Sequence, residues 1–218
     1  MIAVFDINET VLDVAALSPL FEELFGDETV RTEWFLMLEE LWMTATLTDR
    51  YQPFGTLACS ALRRAGLQRN VTIGEKHERR LMETLKTLPP HPDAAPALAE
   101  LRKKGYRLTA LTNGTLEAVE HQLDSAGLRD AFDAVLSVDT VACYKPGRAP
   151  YQHAADRWGV STQELVMIAA HGWDLIGAAS AGCKTGFVAR PGKAIDPQLF
   201  QPDWQADTLD VLVHRIAP

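Results

Sequence analysis

The sequence is poor in cysteine, and the three it has, Cys59, Cys143 and Cys183, stand far apart with no Cys-x-x-Cys pair. That spacing argues against a disulfide framework or a zinc site and leaves buried free thiols as the expectation. Long apolar runs are missing too, since no stretch approaches the ~20 residues that span a bilayer. The opening MIAVFD carries no basic region and no cleavage site, so a cytoplasmic protein with no membrane partner is expected. Positive charge is short: 21 Lys and Arg against 29 Asp and Glu leave a net charge of −8 and a pI near 5.2. Nucleic acid and anionic membrane surfaces are therefore not expected partners. Repeats and low-complexity tracts are also absent. What remains is 218 residues, 47% hydrophobic and 23% charged, which suits one packed core, with room for an insertion.

Short apolar runs recur along the chain at residues 2–6 (IAVFD), 106–113, 134–139, 165–170 and 184–189. Helix-like segments alternate with them at 93–104, 115–126, 147–159 and 173–182. Strands alternating with helices predict an α/β fold, a doubly wound parallel sheet. Residues 14–86 break the alternation. They hold helical patterns at 32–48, 54–67 and 74–88 and no convincing core strand, so they are read as a helical cap inserted after the first strand. The core is then 1–13 with 87–218. Asp93, after the proline-rich LPPHP, is the expected N-cap of the helix that returns to the core.

Ligands in such sheets bind beyond the carboxyl ends of the strands. The polar residues at those ends are Asp6 with Asn8 and Thr10, Thr112 with Asn113, Lys145 before Pro146, and His171 with Asp174. Together they bring a carboxylate, hydroxyl and amide donors, an ammonium and a second acid to one edge. Each has a plainer reading. Asp6 could be a strand-end acid, Thr112 and Asn113 a capping turn, Lys145 a surface lysine, and Tyr151 helix packing.

With these motifs in place the chain resembles the haloacid dehalogenase superfamily, and within it the L-2-haloacid dehalogenases. The resemblance extends through LRDAFDAVLSVDTVACYKPGRAPYQHAADRWGV (128–160) and PDWQADTLDVLV (202–213). It implies a Rossmann-like core and a helical cap, a small haloacid substrate, and hydrolysis to a 2-hydroxy acid with no cofactor. Asp6 would attack the carbon bearing halogen, aided by Lys145 and Thr10, and water would then cleave the aspartyl ester. Thr112 and Asn113 would hold the substrate carboxylate, Tyr151 would fix Lys145 or a neighbouring acid, and Phe54 and Trp173 would line the pocket. Trp34 and Trp42 are left between pocket and cap core. Homodimers are common in the subfamily, so a homodimer is an open expectation.

Three departures from the family pattern matter. Superfamily phosphatases place an aspartate at position 8 to handle a proton and use magnesium; here Asn8 cannot donate that proton, and the last motif offers only Asp174. Metal-free chemistry is expected, with Asn8 among the substrate-binding residues. Position 171, an asparagine in well-known members, is histidine, and His171 with Asp174 is expected to position or deprotonate the hydrolytic water. Phe35 stands where the subfamily has a halide-binding cap arginine. Arg31, one turn earlier, could take its place, but the preferred reading is a solvated helix charge, with halide cradled instead by His171, Asn8 and aromatic edges. Two rivals stay open: a magnesium-dependent phosphatase of a small phosphoester, and a non-catalytic binding protein of the same fold.

Overall fold

A run of four apolar residues with nothing polar on either face is what a central parallel strand requires. Residues Ile2–Phe5 form that strand, β1, and all four are buried. The computed structural model describes residues 1–217. After β1 the chain makes a 3₁₀ turn at Val14–Leu17 and four helices: α1 (Ser18–Phe25), α2 (Val30–Leu47), α3 (Phe54–Arg69) and α4 (Glu75–Lys86). It then alternates through α5 (Ala94–Lys103), β2 (Arg107–Thr112), α6 (Leu116–Ser125), β3 (Ala134–Ser137), α7 (Arg148–Trp158), β4 (Leu165–Ala169), α8 (Gly172–Ala181) and β5 (Lys184–Val188). It closes with β6 (Trp204–Ala206) and α9 (Leu209–Ile216).

The six strands form one sheet in the order β3-β2-β1-β4-β5-β6, every pair parallel. Ile2 of β1 pairs with Arg107 on one side and Leu165 on the other. The chain leaves β1 towards β2 and later crosses to its opposite flank as β4, so the carboxyl end of β1 is the topological switch point where such sheets open a crevice. Asp6 is the first residue past that end.

The inserted helices share their apolar interior with the sheet. Phe5 and Ile7 belong to the same buried cluster as Trp34, Leu38 and Leu57. Helix α2 buries Trp34, Phe35, Leu38, Trp42 and Ala45 at helical spacing. Trp34 Nε1 donates to the Ala58 carbonyl at 3.0 Å and ties α2 to α3. The chain leaves for these helices and returns from them where Leu12 pairs with Pro90. At Gly177 on α8 a Cβ would come within 2.7 Å of both the Pro146 carbonyl and the Tyr151 hydroxyl. That close approach seats α8 against the segment bearing Lys145 and Tyr151.

The expected strands and helices of the alternating pattern are present within the usual end-to-end slack. Three elements were not anticipated: α1, β6 and α9. Asp93 precedes α5 but makes no side-chain cap bond. Its carboxylate takes the Arg190 guanidinium at 2.8 Å through both oxygens and the Leu209 amide at 2.8 Å, so it pins α9 instead. All three cysteines are free, but only Cys183 is buried; Cys59 and Cys143 are half-buried. Among the described residues no helix is long and apolar enough to cross a membrane.

Candidate active site

Asp6 is locked by its backbone before its side chain is considered, its amide donating to the Ile168 carbonyl of β4 at 3.0 Å. Its carboxylate, in a residue only 6% exposed, receives the Thr10 hydroxyl on Oδ2 at 2.7 Å and the Lys145 ammonium on Oδ1 at 2.8 Å. Thr10 is fixed in turn by the Ala170 amide, which donates to its Oγ1 at 2.9 Å. Lys145 is fully buried and uses all three of its donors: Asp6, Asp174 Oδ2 at 2.8 Å, and the Leu111 carbonyl at 3.0 Å. Tyr151 donates to the other oxygen of Asp174 at 2.6 Å. The four strand ends therefore converge as the sequence motifs suggest, with Tyr151 on the second acid.

Burial works against charge on Asp6, but the Lys145 ammonium, His171 and the hydrogen bonds from Lys145 and Thr10 outweigh it and hold the carboxyl below its ordinary value. For Lys145, burial is likewise overcome by Asp174 and Asp6, which push it up and keep it charged. Asp174 goes the other way: burial, helped by Asp6, raises it despite Lys145. One cation thus sits between two unequal acids, with the lower one at Asp6.

Asn113 holds the Lys145 loop. Its Oδ1 accepts from the Lys145 amide at 3.0 Å and its Nδ2 donates to the Lys145 carbonyl at 3.4 Å. The clamp uses one of the two Nδ2 hydrogens and leaves the other unspent in a residue that borders the cavity over Asp6. Thr112 Oγ1 accepts from the Gly114 amide at 2.9 Å and keeps its own proton to donate. Ser137, which the sequence reading missed, braces the same turn by donating to the Gly114 carbonyl at 2.7 Å.

Above Asp6 lies a cavity of only about 20 Å³, room for roughly one water. Asn8, Thr112 and Asn113 border it on the sheet side, with His171 and Trp173 from the start of α8; Phe35, Trp42 and Phe54 close it from α2 and α3. Asn8 gives its Oδ1 to Gln122 Nε2 at 3.1 Å, which leaves the donor end of its amide unspent. Gln122 went unnoticed in the sequence. A larger cavity of 410 Å³ opens at the end of α3 beside Arg63 and Asn70, remote in sequence from every motif above.

His171 stacks on Phe35 at 5.6 Å and 13° and packs on Trp173 at 5.0 Å. Its acidic neighbours are not Asp174, contrary to expectation, because Asp174 is engaged by Lys145 and Tyr151. Nε2 lies 3.2 Å from Glu9 Oε2 and 4.0 Å from Asp6 Oδ2, and Nδ1 lies 3.8 Å from Glu39 Oε1. Burial lowers the imidazole below its ordinary value, with Lys193 and Lys145 in the same sense, against the pull of Asp6 and Glu9.

Glu9 was also missed. It has a left-handed φ of +67°, uncommon for a residue with a side chain and worth attention beside a site. Its Oε2 is buried between two groups, 2.5 Å from Lys193 Nζ and 3.2 Å from His171 Nε2. Arg31 corrects the sequence reading: it is not a solvated charge, its Nε donating to Ser18 Oγ at 3.2 Å and its NH1 lying 3.8 Å from Glu9. Glu9, Arg31 and Lys193 line a neighbouring cavity of 230 Å³. Glu39 completes the set, accepting from Trp173 Nε1 at 2.9 Å. Burial, opposed by the Trp173 bond and Lys193, pushes its carboxyl up to about 7.

The residues that a magnesium ion would use do not fit one. Lys145 already bridges Asp6 and Asp174, and the oxygen of Asn8 is turned to Gln122, whereas magnesium requires several free oxygen ligands.

The family model for haloacid dehalogenase-like hydrolases matches residues 1–182. The (S)-2-haloacid dehalogenase 4A of Burkholderia cepacia is 32% identical over 216 residues, covering 98% of this chain and 94% of that protein. Haloacetate dehalogenase H-2 of Moraxella sp. (strain B) is 28% identical over 216 residues, covering 98% and 96%. Among solved structures, the L-2-haloacid dehalogenase of Xanthobacter autotrophicus matches with a TM-score of 0.91 at 26% identity over 99% of this chain and 98% of that one. With chloropropionic acid covalently bound, that enzyme matches with a TM-score of 0.89 at 25% identity, again over 99% and 98%. Fold, site and likeness agree: the chain is an enzyme of the haloacid dehalogenase-like hydrolase family, similar over nearly its whole length to (S)-2-haloacid dehalogenases.

Proposed function

We propose that this enzyme hydrolyses short 2-haloalkanoic acids, haloacetates first, to 2-hydroxy acids through an ester on Asp6 and without a metal. The observation that carries the reading is a desolvated, ionised carboxylate aimed by two fixed donors into a cavity closed by aromatic rings. A carboxylate is a weak nucleophile in water and a useful one when stripped of water and oriented. Displacement at the halogen-bearing carbon forms a C–O bond to Asp6 as the halide leaves with the bonding electrons, inverting that carbon. The Thr112 hydroxyl and neighbouring backbone amides receive the substrate carboxylate.

Water then attacks Cγ of the Asp6 ester, and His171 takes its proton. Lowered by burial, the imidazole is neutral at pH 7 and able to accept one. Glu9, 3.2 Å from Nε2, stabilises the imidazolium that results. Lys145 remains against the Asp6 oxygen on which negative charge collects. Collapse of the tetrahedral adduct breaks the bond from Cγ to the substrate oxygen, His171 returns the proton to the alkoxide, and Asp6 is a carboxylate again once its remaining proton passes to the neutral His171 and on to solvent. Asp174 and Tyr151 act by positioning Lys145.

The test is halide release with EDTA present from fluoroacetate, chloroacetate and both enantiomers of 2-chloropropionate, by wild type and Asp6→Asn. Release that requires Asp6 supports the reading, and release restored only by added magnesium overturns it. His171→Ala should accumulate the ester, seen as an added mass on the peptide bearing Asp6; turnover at the wild-type rate would remove His171 from the mechanism.

A further inference from the structure

In-line displacement sends the halide out on the side of the carbon opposite the attacking oxygen. Asp6 attacks from the sheet edge, so the halide departs towards the wall that α2 and α3 contribute: Phe35, Trp42 and Phe54. Two of these are hydrocarbon rings. No cation lines that wall: Lys145 is on the sheet side with Asp6, while Arg31 and Lys193 lie against Glu9 and border the neighbouring cavity, Lys193 over the Phe35 ring at 5.3 Å. An anion set free there needs a donor, because leaving it unpaired in an apolar pocket is costly.

Trp42 has that donor to spare. Trp34 gives its indole N–H to the Ala58 carbonyl, Trp158 to Thr109 Oγ1, and Trp173 to Glu39. Trp42 is 2% exposed, and its Nε1 is buried with no partner among the described residues. Buried indole donors ordinarily find one, and an orphan asks for an unseen ligand or ion. Its ring is held by Phe35 at 5.8 Å, Phe54 at 6.3 Å, Tyr144 at 6.2 Å and Trp173 at 5.5 Å, so the donor is fixed before any halide forms.

We propose that the Trp42 indole N–H is the halide ligand of this site, a neutral donor that receives the departing anion in place of a cationic side chain. The inference rests on the dehalogenase reading for its place in turnover. As the carbon–halogen bond breaks, the electron pair goes to the halogen and the N–H···halide bond strengthens; no proton moves. The positive edge of Phe35 supplies the rest of the cradle.

Halide binding tests this without turnover. Chloride and bromide are titrated into the metal-free protein at constant ionic strength, following ³⁵Cl line width and the indole N–H resonances. The Trp42 resonance should move with halide while that of Trp34 stays. Trp42→Phe keeps an aromatic ring and loses the donor, and should weaken chloride binding roughly 10- to 100-fold. Trp34→Phe should leave halide affinity unchanged. In turnover, Trp42→Phe should slow chloroacetate more than bromoacetate, since the poorer leaving group needs more help. A Trp42 resonance indifferent to halide, or a Trp42→Phe protein that binds chloride as wild type does, overturns the proposal even if substrates are dehalogenated. Halide bound at Trp42 with no haloacid turned over would strike the proposed reaction and leave the halide site standing.

Discussion

Lys145 carries more of the site than any other side chain, because its three donors satisfy two acids and a strand-end carbonyl in a place no solvent reaches. Removing one partner from a buried charge cluster costs about 3–5 kcal/mol, mostly from the charges left behind. Lys145→Met should lose about that much in urea unfolding at pH 7, and adding Asp174→Asn should recover part of it; an unchanged midpoint would contradict this account of the cluster. His171 makes a kinetic prediction. Its folded pKa lies below 6.5, and a base must be unprotonated to act, so the rate should be flat near pH 7 and fall as pH drops below that pKa. In His171→Ala the acid limb should disappear from the residual rate. Lysine beside proline and histidine in the last motif were legible in the sequence. Glu9 was not, because a left-handed glutamate beside a nucleophile follows no local pattern. Nor was the pairing of His171 with Glu9, which depends on how α8 and the loop after β1 face each other.

At the scale of elements, α2 and the start of α8 are joined by the bond from Trp173 to Glu39. The Glu39 carboxyl, ordinarily near 4.5, is held up to about 7. Between those values the folded protein keeps a proton the unfolded chain has lost, so Glu39 makes stability fall as pH rises from 4.5 to 7 and level off above. The size is of order 3 kcal/mol at most. Urea unfolding at pH 5 and pH 7.5 should show a smaller loss in Glu39→Gln than in wild type; equal losses would place the proton elsewhere. In LEELW, Glu39 reads as one more exposed helix charge, and only the docking of α2 on α8 reveals otherwise. Five strands and their intervening helices were legible because short apolar runs alternate with helical repeats along the chain. Strand β6 has three residues, too few for periodicity to register, and α9 follows it without the expected alternation.

For the whole molecule, α2 and α3 narrow the site above Asp6 to a cavity of about 20 Å³. Its walls on that side are large rings, which favours the smallest acids. Rates should fall from chloroacetate through 2-chloropropionate to 2-chlorobutyrate. Phe35→Ala should flatten that order while costing about 3–5 kcal/mol of stability; an unchanged order would move the size limit to another wall. The placement of Asp6 at the switch point was foreseeable from the alternation alone. The tightness of the cavity was not, because it depends on three rings from two helices meeting over one carboxylate.

The ester on Asp6 is the central claim, and a single turnover in ¹⁸O-water tests it most directly. With enzyme in excess over chloroacetate, the account predicts that the label enters the Asp6 carboxylate, read by mass spectrometry of its peptide, while the 2-hydroxy acid carries unlabelled oxygen from Asp6. Label in the product of that first turnover, with Asp6 unlabelled, would mean that water attacks the substrate carbon itself and would contradict the mechanism.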